Sequence, residues 1–417
     1  KIVNRLQKLH PKEIDLSLDR IKLLCEKLGN PQDKIKAISV VGTNGKQSTI
    51  NAIFSILKEA KMRCNVYSSP HVQRINERFI FNNQELKDEK LAFLFEEVEK
   101  INDNQPITFF EILTACYFYE AAQYPENINL IEAGLFHRFD ATNILKKNLA
   151  SVVTSISKDH LDWLPKNEQT IEKIVYEKTS SLLKSNIIVS KQNLVSTKET
   201  IKKTILNNSS NKLFFNENFS YSNVENGFFY YEDKFGSLKL PLPNILGQFQ
   251  LENISTAIAT LRLLNIDIKD DDIKNGITKI ESVARLQEIK SGRLKKLVKN
   301  NQLLLDGSHN EDGARVLNEY LQTLDCNKHV VLGMMANKAN EKYISYFKDI
   351  SSLITIDIPG QPNSISGKDL KEKFKSMPNV QYKESIEQAI KSIPLKGNDL
   401  VIITGSLYLA GEILNLN

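Results

Sequence analysis

The chain is short of what several protein classes require. Its four cysteines, Cys25, Cys64, Cys116 and Cys326, stand far apart with no CxxC pair. That spacing suggests neither a zinc knuckle nor a disulfide framework, and the expectation is reduced thiols. No apolar run approaches the roughly 20 residues that span a bilayer. The first ten residues, KIVNRLQKLH, lack a signal-peptide core. An excess of one charge is also missing: 55 Lys and Arg against 50 Asp and Glu leave +5, with no dense basic run. So even a balance does not supply a nucleic-acid surface, though it accommodates a local basic pocket for anions. The expectation is a cytoplasmic monomer acting on small molecules, with neither nucleic acid nor membrane as partner. The chain begins at Lys1 rather than Met, so its natural start stays open.

What is present is an α/β rhythm. The chain has 417 residues, 41% hydrophobic and 25% charged, enough for two ordinary domains. LDRIKLLCEKLG reads as a helix stopped at Gly29, with Asn30-Pro31 after it. KAISVVG is strand-like and runs into a glycine-rich turn, and STINAIFSILKEAK then has helical periodicity. RCNVYSS, NINLIEAG and ASVVTSIS continue as buried strands. Near residues 208–243 the pattern changes, and NGFFYYEDKFGSLKLPLP predicts hairpins. LENISTAIATLRLL is helical again. Beyond Arg285 the strand-like runs NQLLLDGSHN, HVVLGMM, LITIDIP and DLVIITGS predict a second, smaller α/β unit.

VVGTNGKQST is the most informative stretch. A strand enters Gly42-Thr43-Asn44-Gly45-Lys46 and a helix leaves it. Glycines let backbone N–H groups curl round a phosphate, and the helix N-terminus adds its positive end. Lys46 supplies charge to the β- and γ-phosphates. The usual P-loop pattern is not met: Val40 stands where its first glycine belongs, and Gln47 separates Lys46 from Ser48.

GTNGK followed by a small residue and Ser/Thr resembles the loop of the Mur ligase superfamily, and within it the folylpolyglutamate synthase/dihydrofolate synthase family, which reads GTNGKGS. The resemblance runs along nearly the whole chain. DLSLDRIKLLCEKLGNPQ, YSSPHVQRINERF, TFFEILT, EAGLFHRFDATN, TSISKDHLDWL, EKTSSLL, GQFQLEN, ARLQEI, DGSHN and TGSLYL each match a family block in order. It implies a P-loop ATPase-like N-terminal domain with a mainly parallel sheet, residues 1–284. A Rossmann-like C-terminal α/β domain would follow, residues 285–417. The implied activity is ATP-dependent joining of L-glutamate to dihydropteroate and/or to the glutamate tail of a reduced folate through an acyl phosphate, with use of both expected.

Site residues follow by the same resemblance. ATP would meet Gly42, Thr43, Asn44, Gly45, Lys46, Gln47 and Ser48, with Asn253, Arg285, Asp306 and His309 as further nucleotide contacts, the nucleotide bridging both domains. Mg²⁺, which favours oxygen ligands and keeps several waters, would be held by Ser69, Glu132 and His160. Lys178 aligns with a lysine that the superfamily carbamylates. Lys46, Glu132, His160 and Lys178 would therefore form the catalytic set. The pterin-bearing substrate would meet Asp15, Leu16, Ser17 and Leu18; Thr108, Phe109, Phe110 and Glu111; and Phe139, Asp140 and Ala141. There an aromatic ring would stack on the pterin and a carboxylate would accept from its ring N–H groups.

The chain departs from the family pattern at several points. Gln47 replaces a glycine; Phe136-His137 replaces the Gly-Gly of GLGGR; Phe249 replaces the His of an HQ pair, and Gln248 the preceding Arg. EKTS stands for EKAG, and Asn337-Lys338-Ala339 for DKD. Two other readings stay open. One is a Mur-type ligase for a cell-wall nucleotide precursor. That enzyme would carry a further UDP-binding domain ahead of the opening block, which here starts at residue 15. The other is a nucleotide-binding homologue without turnover.

Lys46→Ala is expected to abolish turnover while leaving the thermal transition in place, because the loop fold rests on backbone. Loss of one charge on the moving phosphoryl group costs roughly 3 kcal/mol of transition-state stabilisation or more. Wild-type ATP turnover by the variant, alongside an unchanged melt, would refute the phosphate-loop reading.

Overall fold

The computed structural model describes residues 1–10, 15–208, 210–339, 341–347, 349–377 and 379–417, and for Asn223 only the backbone. The chain divides into two compact units, Lys1–Asn244 with Gln250–Ile280, and Ile245–Phe249 with Glu281–Asn417.

The first unit is built on an eight-stranded sheet. Its strands are β1 (Lys36–Val41), β2 (Cys64–Tyr67), β3 (Phe79–Phe81), β4 (Gln84–Glu85), β5 (Ile128–Glu132), β6 (Ala150–Val153), β7 (Asn186–Val189) and β8 (Lys212–Phe214). The order is β4-β3-β2-β5-β1-β6-β7-β8. All pairings from β2 to β8 are parallel; β3 and β4 add an antiparallel edge. A strand covered on both faces has no polar side to show, which is why KAISVV reads as a nearly unbroken apolar run. Five of its six residues are buried.

Parallel pairing fixes where the strand ends fall. Val40 pairs with Glu132 and Val41 with Val153, while Tyr67 pairs with Ile131. Gly42, Ser69, Glu132 and Ser155 therefore emerge along one carboxyl edge, where open α/β sheets place their ligands.

A three-stranded antiparallel sheet follows, in the order β11-β10-β9, from β9 (Phe219–Glu225), β10 (Phe228–Asp233) and β11 (Gly236–Pro241). Its first turn is Asn226-Gly227, both with positive φ, as a two-residue hairpin requires. The hairpins expected near residues 208–243 are these strands.

The second unit carries a six-stranded sheet, ordered β12-β13-β17-β14-β15-β16. Its strands are β12 (Gln287–Glu288), β13 (Gln302–Leu305), β14 (Lys328–Leu332), β15 (Ser352–Ile356), β16 (Val380–Lys383) and β17 (Leu400–Thr404). Only β12 is antiparallel. Four of these are the strand-like runs of the sequence; β12 and β16 are additions. The unit boundary falls at Ile280 rather than residue 284, and Ile245–Phe249 joins the second unit. The cause is local. Ala284 accepts from the Gly307 N–H at 2.8 Å and donates to Gln287 Oε1 at 2.9 Å, which ties it to the β13 end. Leu246 and Phe249 pack on the second unit's core.

No described helix is long and apolar enough to cross a membrane.

Helix Lys46–Glu59 packs on helix Asp270–Ile277 through a backbone approach at Gly276. A Cβ there would lie 2.6 Å from Ile56 Cα, and the Ser55 hydroxyl donates to the Gly276 carbonyl at 2.7 Å. Alanine is the better helix former, yet Gly276→Ala is expected to destabilise by about 1–3 kcal/mol through overpacking. Urea unfolding measures it; a stabilised variant would contradict the close approach.

Candidate functional site: a phosphate loop at a strand edge

The phosphate loop is clamped by its neighbours. The Thr43 and Asn44 N–H groups donate to the Ser155 carbonyl at 2.8 and 3.2 Å. The Thr43 hydroxyl donates to the Ser157 carbonyl, also at 3.1 Å from the Ser157 N–H. Gly42 and Gly45 have φ of +148° and +86°. A Cβ on Gly42 would fall 1.9 Å from Thr154 Oγ1, and one on Gly45 would fall 2.5 Å from Asn253 Oδ1. Both glycines are thus required by space as well as by φ. Gln47 and Ser48 lie in the first turn of helix Lys46–Glu59, where a side chain at 47 is tolerated.

Lys46, Glu132 and Ser69 come together. Lys46 Nζ lies 3.3 Å from the Thr43 carbonyl and 3.7 Å from Glu132 Oε1. The Ser69 N–H donates to Glu132 Oε2 at 3.0 Å. Glu132 is buried at the end of β5. The loop after Ser69 is shaped by Glu77, whose carboxylate accepts from the N–H groups of Val72, Gln73 and Arg74 at 2.7–2.8 Å.

Lys178 is no solvated helix lysine. It is 3% exposed, and its Nζ donates to the Gly42 carbonyl at 2.9 Å. The Phe136 ring centre lies 5.5 Å from that nitrogen, and Phe136 also meets the His160 ring edge-on at 6.4 Å. His160 is half-buried, in a left-handed turn, with its N–H on Asp159 Oδ1.

The segment with the altered Gly-Gly pair is held by helix Ile171–Thr179. The His137 and Arg138 N–H groups donate to the Glu177 carbonyl at 3.1 and 3.0 Å. The Arg138 guanidinium grips the Glu177 carboxylate with two bonds of 2.8 Å, and His137 Nδ1 pairs with the Ser181 hydroxyl at 2.9 Å. Phe136 and His137 are buried, so they fill the interior. Phe136 has φ of 55°, a region that suits glycine.

Both carboxylates expected to accept from a ring are already engaged. Asp140 Oδ2 accepts from the Gly134 and Leu135 N–H groups at 2.9 Å, and Oδ1 from the Thr142 N–H and hydroxyl. Glu111 Oε2 accepts from the Thr108 N–H at 2.8 Å, closing a capping box on helix Phe109–Ala121, and Arg20 takes both Glu111 oxygens. Their evident work is to fix loops. Phe110 stacks on Tyr67 at 6.0 Å and closes over Gly134. Phe109 packs on the core. Phe139 is 36% exposed beneath the Arg138 guanidinium. Ala141 is buried. Asp15 and Ser17 form a turn, Ser17 N–H to Asp15 carbonyl, with Leu16 exposed and Leu18 against the core.

In the second unit Arg285, Asp306 and His309 gather at the end of β13. Asp306 accepts from the Leu286 and Ser308 N–H groups at 2.9 Å. His309 Nδ1 meets the Gly307 carbonyl at 2.9 Å, and a Cβ on Gly307 would reach within 2.9 Å of Arg285 Nη1. Ala284 and Leu286, which flank Arg285, have φ of 52° and 49°. Among the described residues, the apolar side chains at left-handed φ are these two and Phe136. Such strain gathers where surrounding structure over-determines the backbone. Missed in the sequence were Arg20, Arg138, Glu177, and Tyr343, whose hydroxyl joins Ser308 to Thr404. Glu177 stands beside Lys178 in EKTSS and is the one a local signal could have found.

As metal donors, the Ser69 hydroxyl and the Glu132 carboxylate are hard oxygens on neighbouring strand ends. They suit a cation that keeps most of its waters. Among the described residues no three His, Cys, Asp or Glu side chains form a cage.

The chain is 31% identical to the dihydrofolate synthase/folylpolyglutamate synthase of Haemophilus influenzae, over 98% of this chain and 94% of that protein. It belongs to the dihydrofolate synthase/folylpolyglutamate synthase family. Residues 290–416 match the family model described as dihydrofolate synthetase, C-terminal domain. Among solved structures of this family, Escherichia coli FolC in complex with DHPP and ADP superposes with a TM-score of 0.88 at 28% identity, over 99% of this chain and 96% of that one. The bifunctional enzyme of Yersinia pestis complexed with AMPPNP and Mn ion gives 0.86 at 25%, with the same coverage. The two-sheet α/β architecture of the family is thus the one seen here.

Burial, with the Lys178 charge adding to it, pushes the His137 imidazole down to about 4 from its ordinary 6.5. The unfolded chain takes up that proton first, so stability is full above pH 6.5 and is lost as pH falls towards 4. The loss reaches about 3 kcal/mol. His137→Gln is expected to flatten this acid limb in urea midpoints taken between pH 7 and 4.5; an identical slope in both proteins would discount it.

Proposed function

We propose that this chain is an ATP-dependent ligase joining the amine of L-glutamate to the carboxylate of dihydropteroate, or to the terminal glutamate of a reduced folate. The observation that carries the reading is the strand-edge cluster in which Lys46, Ser69 and Glu132 meet at the phosphate loop.

In this reading a substrate carboxylate oxygen attacks the γ-phosphorus of ATP. The bond to the β–γ bridging oxygen breaks and ADP leaves. The glutamate amine then attacks the acyl carbon, the C–O bond to phosphate breaks, and the amine proton leaves with the released phosphate. The loop N–H groups and Lys46 cradle the β- and γ-phosphates and stabilise the charge that develops on them. Asn253, Arg285, Asp306 and His309 contribute to nucleotide binding. Ser69, Glu132 and His160 would hold Mg²⁺, which supplies charge neutralisation at the phosphoryl group. Lys178 carries a carbamate in this reading, which would turn a buried cation into a metal-facing anion. Phe110 and Phe139 offer ring faces to the pteroyl group, while Asp15–Leu18, Thr108, Phe109, Glu111, Asp140 and Ala141 shape the walls around it.

A second reading rests on Phe136 and His137, buried where the family keeps two glycines: a homologue that binds nucleotide without turning it over. Phosphate release from MgATP separates the two. Release that requires both glutamate and either dihydropteroate or tetrahydrofolate is the expected result. Nucleotide binding with no glutamate-dependent release from either substrate would leave the second reading standing. For Lys178, ¹³CO₂ is expected to give a carbamate resonance that Lys178→Ala lacks, and short carboxylates should partly restore that variant's activity. An active enzyme without the resonance would remove the carbamate.

A further inference from the structure

Arg20 joins two parts of the molecule that are remote in sequence. It lies in the first turn of helix Asp19–Lys27. Its Nε donates to Glu111 Oε2 and its Nη2 to Glu111 Oε1, each at 3.0 Å, so the guanidinium and carboxylate meet as a parallel fork. The opposite edge grips Asp15: Nη1 donates to Oδ2 at 3.0 Å, and Nη2 to the Asp15 carbonyl at 2.9 Å. The Arg20 side chain is 20% exposed, that of Glu111 5% and that of Asp15 34%. Four charge-assisted bonds in a largely dry setting are a strong and geometrically exacting link.

Each end of the link has a further job. Glu111 closes the capping box that starts helix Phe109–Ala121, with Thr108 N–H on its Oε2 and Thr108 Oγ1 facing its N–H. Asp15 starts the turn completed by the Ser17 N–H, and Ser17 in turn accepts from the Asp19 N–H at 3.2 Å, just ahead of the helix that carries Arg20. Turn, helix start and capping box are thus one hydrogen-bonded assembly, and Phe109 and Phe110 follow the cap residue Thr108 as the first two residues of the helix.

We propose that Arg20 is a positioning residue for the pteroyl substrate, holding the Asp15–Leu18 turn on the cap of helix Phe109–Ala121 so that the turn and the Phe109-Phe110 pair keep one fixed spacing. This rests on the assignment of those two segments to the substrate. Lysine cannot replace arginine here, because a point charge reaches one carboxylate and lacks the planar fork that spans both. Asp15→Asn weakens a single arm and leaves the capping box whole.

The test measures binding and turnover in wild type, Arg20→Lys, Arg20→Met and Asp15→Asn, with a melt for each. In wild type, dihydropteroate or tetrahydrofolate must bind and support glutamate-dependent phosphate release; failure there overturns the functional reading and this inference with it. With wild type active, Arg20→Met is expected to raise KM and Kd for the pteroyl substrate tenfold or more. KM for ATP and glutamate should move less than about twofold, since the bonds lost join only the Asp15 turn and the Glu111 cap, the segments assigned to the pteroyl substrate. Arg20→Lys and Asp15→Asn should fall between. A folded variant series with unchanged pteroyl Kd, or with all three KM values rising together, would show that Arg20 serves stability alone. If Arg20→Met does not fold, Arg20→Lys and Asp15→Asn decide the question by the same ratio.

Discussion

The parallel register of β5, β1 and β6 is the constraint on which the first unit's site depends. Val40 opposite Glu132, and Val41 opposite Val153, bring three chain reversals to one edge. Everything beyond that edge is loop, and loops need their backbone donors satisfied. The Ser155 carbonyl serves Thr43 and Asn44, Glu132 serves Ser69, and Lys178 ties back to Gly42. A one-residue slip of β5 would turn Glu132 to the other face of the sheet and dissolve the cluster.

A second theme is how carboxylates are used. Glu77, Glu111, Asp140 and Asp306 each accept from backbone N–H groups of their own loops. Burial raises the Asp140 carboxyl above its ordinary range, and four donors oppose that shift. Such a group is a rivet. It sets the path of the main chain with part of its acceptor capacity, so an acidic residue in a motif block has structural work to do before any ligand arrives.

Legibility followed distance along the chain. The strand, glycine turn and helix around residues 36–59 could be read because each signal is local: an apolar run, glycines, then helical periodicity. The Asn226-Gly227 hairpin was visible for the same reason. β12, with two residues, and β16, with a short half-exposed VQYK, carry too little pattern. The Arg20–Glu111 link spans 91 positions and Arg138–Glu177 spans 39, and no periodicity announces such partners. Glu111 and Asp140 also hold donors from their own loops, which a motif does not announce because it gives only the residue type. Lys178, singled out through the family resemblance rather than by any local pattern, is buried against a carbonyl and a ring.

Phe136 holds a left-handed backbone conformation, at φ of 55°, where its relatives' pattern has glycine. A glycine pair leaves the unfolded chain and any loosened loop with many alternative paths, whereas a buried phenylalanine and histidine leave few. The ordering of this loop is therefore set largely by the folding of the polypeptide itself. Such a loop behaves less as a hinge than as a cast part: little of its own entropy remains to be lost, and little latitude remains for it to change shape. Adaptability and readiness are exchanged, one for the other, at a single main-chain torsion.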